Sequence, residues 1–196
     1  MFDNFFRSKI DSGLRFFCGH FLKKVSPLQI TIVGFIFGIS AAALVFFQFY
    51  LTGLALMLIG RLMDGLDGVL ARLKKETSDR GAFLDIVFDF IFYNSFVAAF
   101  ASLPENRITS ILLLLSFTGT GVSFLAYSAL TKKDFSVSQP EKGIYYLEGL
   151  TEGSETILFF ILICLFPGYF NLLGTIFFIL CVITTMTRIY KGFKLL

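Results

Sequence analysis

Four aspartates, Asp64, Asp67, Asp85 and Asp89, interrupt two consecutive runs of otherwise apolar residues, each long enough to cross a bilayer. A carboxylate in hydrocarbon costs roughly 2.5 to 3.5 kcal/mol on insertion scales, so four of them within a short stretch restrict what the chain can fold into. Residues three or four apart share a helix face. Asp64 and Asp67 therefore project from one helix, and Asp85 and Asp89 from the next. Two facing acidic pairs offer hard oxygen donors of the kind that divalent cations select, which predicts a metal site.

Composition sets the surroundings. Of 196 residues, 56% are hydrophobic and only 16% charged, with 27 Phe and no Trp, which excludes an ordinary soluble domain. Apolar runs cover residues 28–50, 53–73, 82–103, 108–130, 151–166 and 172–190. The fold class expected is an all-α integral membrane protein with six transmembrane helices in one domain, residues 25–196. The fifth span is the most polar at its start, where Glu152 and Glu155 fall in the first turns. Basic residues sort to one side: Arg7, Lys9, Arg15, Lys23 and Lys24 before the first span, Lys74, Lys75 and Arg80 after the second. Lys132, Lys133 and Lys142 follow the fourth, and Arg188, Lys191 and Lys194 close the sixth. The opposite loops hold only Arg107. The positive-inside rule then places both termini, and the acidic motif, on the cytoplasmic side.

Residues 1–24 are expected to form a short amphipathic juxtamembrane helix. Phe2, Phe5, Phe6, Ile10, Leu14, Phe17 and Phe21 recur at helical spacing among bases. Such a helix lies in the headgroup region or packs on the protein's own cytoplasmic face, and its interleaved charges do not read as a cleaved signal segment. His20 has no ligand partner at metal spacing, and Cys18, Cys164 and Cys181 form no C-x-x-C pair. Gly34 and Gly38 make a small-xxx-small pair suited to close helix packing.

The acidic stretch has the spacing D-x2-D-G-x2-A-R-x8-G-x3-D-x3-D, filled by Asp64, Asp67, Gly68, Ala71, Arg72, Gly81, Asp85 and Asp89. It resembles the signature of the CDP-alcohol phosphotransferases, integral membrane enzymes that build phospholipid headgroups. The resemblance implies a transferase that moves a substituted phosphate, phosphatidyl from CDP-diacylglycerol or the group of another CDP-alcohol, to an acceptor hydroxyl with release of CMP. It implies two ions of Mg2+ or Mn2+ held by Asp64, Asp67 and Asp85. Asp89 would be the fourth ligand or neighbour and the general base. Gly68, Arg72 and Ser78 fall where the family contacts the CDP moiety. An upstream Pro-Asn-x-x-Thr element of the family corresponds to Pro27 through Thr31, with Leu28 in place of the asparagine and Gln29 beside it as a polar substitute. A homodimer, a bacterial inner membrane and no nucleic-acid partner complete what the resemblance implies.

The residues support the same chemistry independently. Glycines at 65 and 68 leave helix surface bare for a phosphate, and Arg72 one turn on supplies a guanidinium. Acceptor candidates divide by charge. Lys132, Lys133 and Arg188 suit a phosphorylated alcohol; Glu152 and Glu155 suit an amine or polyol, or serve as N-terminal acids favoured by the helix dipole. The competing class is a cation- or proton-coupled transporter built on the same carboxylates. Such transporters tend to repeat their architecture, and no second acidic pattern follows Ile108.

Overall fold

The sequence specifies its first helix boundary in full. Ser26 accepts from the Gln29 amide at 3.2 Å while the Gln29 side chain accepts from the Ser26 amide at 3.0 Å, and Pro27 occupies the first helical turn. This reciprocal box satisfies amides that a helix start otherwise leaves bare. In the computed structural model, residues 25–131 and 150–195 are described; they form helices joined by short connections, with no strand among them. The helices are α1 (Pro27–Phe46), α2 (Tyr50–Lys74), α3 (Asp79–Phe100), α4 (Arg107–Thr131), α5 (Gly153–Leu165) and α6 (Phe170–Leu195). Single 3-10 turns at Pro104–Asn106 and Pro167–Tyr169 precede α4 and α6. The amphipathic segment 1–24, with His20 and Cys18, lies outside the described residues, as do Lys132 and Lys133.

The backbone divides into two units, one up to Pro104 and one from Glu105. In the first, α1 packs along both α2 and α3. Glycines set how closely. A Cβ on Gly60 would stand 3.0 Å from the Gly34 carbonyl oxygen, one on Gly53 2.8 Å from Val45, and one on Gly38 2.9 Å from the Phe92 ring. The small-residue pair of α1 therefore faces α2 with one member and α3 with the other. Phe92, Phe96 and Phe100 recur every four residues and are fully buried, so they form the stripe by which α3 meets its neighbours. Ile30, Leu66, Val69 and Leu70 make a second apolar cluster beneath the acidic turn of α2.

Helix ends are specified by local chemistry. Lys75 takes a left-handed backbone (φ 57°), and the Glu76 amide returns to the Ala71 carbonyl at 2.9 Å, closing α2. Ser78 caps α3 by accepting from the Gly81 amide at 3.1 Å.

In the second unit α4 packs against α6, and α5 also lies on α6. Gly174 admits the close approach, since a Cβ there would meet the Thr109 methyl at 2.5 Å. Phe159 stacks on Phe177 with centroids 4.3 Å apart, and Asn171 bonds Thr109 and Asn106. The chain entering α5 is fixed by Thr184, whose hydroxyl oxygen accepts from the Leu150 and Thr151 amides.

Among the described residues, four segments are long and apolar enough to cross a membrane: Pro27–Phe46, Asp79–Phe100, Pro104–Leu130 and Pro167–Lys194. The six expected spans correspond to six helices, but two of these differ in kind. α2 has the length, 25 residues, yet carries Arg61, Asp64, Asp67 and Arg72. α5 has only 13 residues, short of the ~20 that cross hydrocarbon perpendicularly. Large apolar side chains exposed on every helix, including Ile36, Leu51, Phe83, Leu115, Leu158 and Met186, suit a surface that faces lipid rather than water.

Candidate metal and nucleotide site

Asp64 and Asp67 lie three residues apart on α2, with Asp85 and Asp89 four apart on α3. One carboxylate oxygen from each of Asp64, Asp67 and Asp85 lies within 4.8 Å of the others. Oxygens on one divalent ion sit about 2.0 to 2.6 Å from it, so opposite ligands stand roughly 4 to 5 Å apart. The three carboxylates therefore fit a hard cation in both chemistry and spacing. Asp67 is buried, which makes a nearby cation the natural means of balancing the cluster's charge.

The fourth aspartate is held differently. Asp89 Oδ1 accepts from Arg61 Nη1 at 2.5 Å, and the Tyr93 hydroxyl lies 3.4 Å from Asp89 Oδ2. Arg61 also stands 3.6 Å from Asp64, and its guanidinium carbon is 4.7 Å from the Phe92 ring centroid. The sequence reading gave no part to Arg61. Its signal was present: an arginine one turn before Asp64, on the same face, inside an apolar run.

Thr31 was expected at the nucleotide. In the structure its hydroxyl lies 2.5 Å from Asp67 Oδ2 and 3.1 Å from the Pro27 carbonyl. A hydroxyl has one proton, and the shorter contact to a carboxylate is the stronger bond. Gln29 and Ser78 are both engaged in helix caps, at α1 and α3. Gly68 has room on its outer side, where a Cβ would approach only Arg72 Nη1 at 3.4 Å, and a Cβ on Gly65 would meet nothing within 4 Å. Arg72 itself is exposed. The α2 surface from Gly65 to Arg72 is thus bare backbone ending in a cation, suited to a phosphate.

In the second unit, Glu155 closes the start of α5, accepting from the Glu152 amide at 3.2 Å and from the Ser154 hydroxyl at 3.0 Å. Arg188 is buried, donates to the Thr120 carbonyl at 3.1 Å and lies 5.6 Å from the Phe124 ring centroid. Cys164 and Cys181 are buried free thiols.

Bare helix backbone beside a three-carboxylate cluster suits the transfer of a phosphoryl group. The sequence model of the CDP-alcohol phosphatidyltransferases matches residues 24–187, and the chain belongs to that family. Inner membrane protein YnjF of Escherichia coli is 45% identical over 174 residues, which cover 86% of this chain and 84% of that one. A bifunctional IPC transferase and DIPP synthase of Thermococcus kodakarensis is 34% identical over 100 residues, half of this chain and 23% of its own length. The crystal structure of Mycobacterium tuberculosis phosphatidylinositol phosphate synthase (PgsA1) with CDP-DAG bound shares the fold. Its TM-score is 0.72 at 18% identity, and 94% of each chain is covered. Membership decides between the two classes open in the sequence: this is an integral membrane transferase of phospholipid biosynthesis rather than a transporter.

Proposed function

We propose that the protein transfers the phosphatidyl group of CDP-diacylglycerol to the hydroxyl of an alcohol and releases CMP. The observation that carries this reading is the cluster of Asp64, Asp67 and Asp85 with Asp89 held beside it. CDP-DAG bound to the Mycobacterium synthase of the same fold supports the choice of donor.

The three clustered carboxylates would hold two ions of Mg2+ or Mn2+, which supply charge neutralisation on the diphosphate and on the departing phosphate. The rest falls to side chains. The bare face of Gly65 and Gly68 lets the donor diphosphate lie against α2, and Arg72 binds a phosphate oxygen. Thr31 fixes the rotamer of Asp67. Asp89 accepts the proton of the acceptor hydroxyl as its oxygen attacks the phosphorus that bears the diacylglycerol. The bond from that phosphorus to the bridging oxygen breaks, and CMP leaves with the electron pair. Positioning and charge placement, rather than covalent chemistry by the protein, carry such a reaction.

The same reading includes six spans. α2 crosses with its charges turned to the site, and the shorter α5 crosses together with the apolar turn that follows it. Both termini and the site then face the cytoplasm, in keeping with the excess of bases in those loops. An inner membrane location follows the Escherichia coli relative's name.

The test is turnover of labelled CDP-diacylglycerol by the purified protein with Mg2+ or Mn2+ and a panel of polyols, amino alcohols and their phosphates. CMP release with one alcohol is expected, lost in EDTA and restored by the ion. Asp64→Asn should lose donor and ion binding together, while Asp89→Asn should keep donor binding and leave only a residual rate of transfer. Full activity in excess chelator would refute the reading.

A further inference from the structure

The chemistry just described uses Asp89 but leaves unexplained why the Arg61 guanidinium lies between it and Asp64. Arg61 is one turn before Asp64 on α2, and Asp89 one turn beyond Asp85 on α3. The two pairs therefore face each other in antiparallel register, with Asp64 beside Asp85 and Arg61 beside Asp89. Arg61 is well buried, its side chain 15% exposed, and its guanidinium lies against the ring of Phe92, which is fully buried. A planar guanidinium fixed on one face by an aromatic ring has few orientations left. It stands 2.5 Å from Asp89 and 3.6 Å from Asp64, so it is bonded to the former and only close to the latter. Tyr93, one turn past Asp89, reaches the other oxygen of the same carboxylate at 3.4 Å. The two partners come from different helices and grip the two oxygens separately.

The structure assigns Arg61 as a positioning residue for Asp89, with Tyr93 as its second anchor. It aims the carboxylate at the acceptor and holds it out of the three-carboxylate cluster. This rests on the reading of Asp89 as the base that receives the acceptor's proton. A base acts only within hydrogen-bond reach of the proton it takes, so a carboxylate drawn toward ions with Asp64 and Asp85 would be lost to that task. Arg61 competes for Asp89 with a full positive charge of its own, built into the fold.

Four variants test this: Arg61→Gln, Arg61→Lys, Asp89→Asn and the double variant Arg61→Gln with Asp89→Asn. Arg61→Gln should lower kcat on the order of a hundredfold, the lower part of the range for a displaced general base, with donor KM held within about twofold. Arg61→Lys, which keeps the charge but not the fork, should restore part of the loss. Mn2+ affinity of the nucleotide-free protein, read by electron paramagnetic resonance, should hold or tighten, because a repelling cation has gone. In the Asp89→Asn background, followed under single-turnover conditions, Arg61→Gln should cost nothing further. Thermal unfolding of the metal-free protein gives an independent reading: Arg61→Gln lowers Tm by leaving Asp89 without its cation, and adding Asp89→Asn brings it back. Additive losses in the double variant, or a donor KM or Mn2+ affinity that worsens with kcat in Arg61→Gln, would overturn the assignment and put Arg61 in the donor or ion site. Full turnover by Asp89→Asn would instead remove the base reading itself, so the two failures are told apart by different variants.

Discussion

Thr31→Val separates two roles for one hydroxyl. The family resemblance puts Thr31 at the nucleotide, whereas the structure gives its proton to Asp67 Oδ2 at 2.5 Å. Valine keeps the branched shape, so what is removed is one hydrogen bond to a carboxylate. Such a bond to a charged group contributes about 1.5 to 3 kcal/mol. Asp67 is only 8% exposed, and water has little access to replace the lost donor. If the bond fixes Asp67 for an ion, the whole of that energy appears in ion affinity. At ~1.4 kcal/mol per tenfold this is roughly a 10- to 100-fold weaker site, the range seen when an outer partner of a metal ligand is removed. The assay is Mn2+ binding by the purified, detergent-solubilised protein without nucleotide, so that the donor cannot contribute. Thr31→Ser, which retains the hydroxyl, should bind within a few fold of the parent. Unchanged Mn2+ affinity in Thr31→Val, together with a raised KM for the CDP donor, would refute the argument and return Thr31 to the nucleotide.

Two glycines of α2 should respond in opposite ways. Gly60→Ala puts a methyl 3.0 Å from the Gly34 carbonyl, backbone that cannot yield, so α1 and α2 must separate; stability should fall by about 1 to 3 kcal/mol in thermal unfolding, and turnover with it. Gly65→Ala meets nothing within 4 Å and should gain about 0.5 to 1 kcal/mol from helix propensity, yet raise donor KM if the diphosphate lies on that bare face; an unchanged KM would move the donor elsewhere. At the start of α5, Glu155→Ala should cost about 1 kcal/mol of stability through its lost cap without altering acceptor KM, while Glu152→Gln should raise acceptor KM if the acceptor is an amine or polyol. A silent Glu152→Gln with essential Lys132 and Lys133 would identify a phosphorylated acceptor.

The helical class, the placement of four carboxylates in apolar runs and the pairing of Asp64 with Asp67 and Asp85 with Asp89 were legible in the sequence. Each depends on a periodicity internal to one helix, fixed by 3.6 residues per turn wherever that helix lies. The caps are equally local, since Ser26, Pro27 and Gln29, or Ser78 and Gly81, act within four residues, but apolar runs alone carried the first span to residue 50, where α2 already begins. Local chemistry also gives two residues a role the resemblance did not. The resemblance put Gln29 and Ser78 at the nucleotide, and in the fold both are engaged in caps.

What the sequence could not divide is the four aspartates themselves. By spacing they read as two equal pairs; the family resemblance set Asp89 apart, and the structure clusters the other three and holds Asp89 on Arg61. That division is set by contacts between residues 28 and 36 positions apart, Arg61 with Asp89 and Thr31 with Asp67. Such contacts depend on how far one helix slides and turns against another. Here Gly34, Gly38 and Gly60 set that register by letting α1 sit close against both α2 and α3. Residue spacing along a helix says which side chains share a face; only the packing of helix on helix says which face they meet, and so which carboxylate gains a cation of the protein's own.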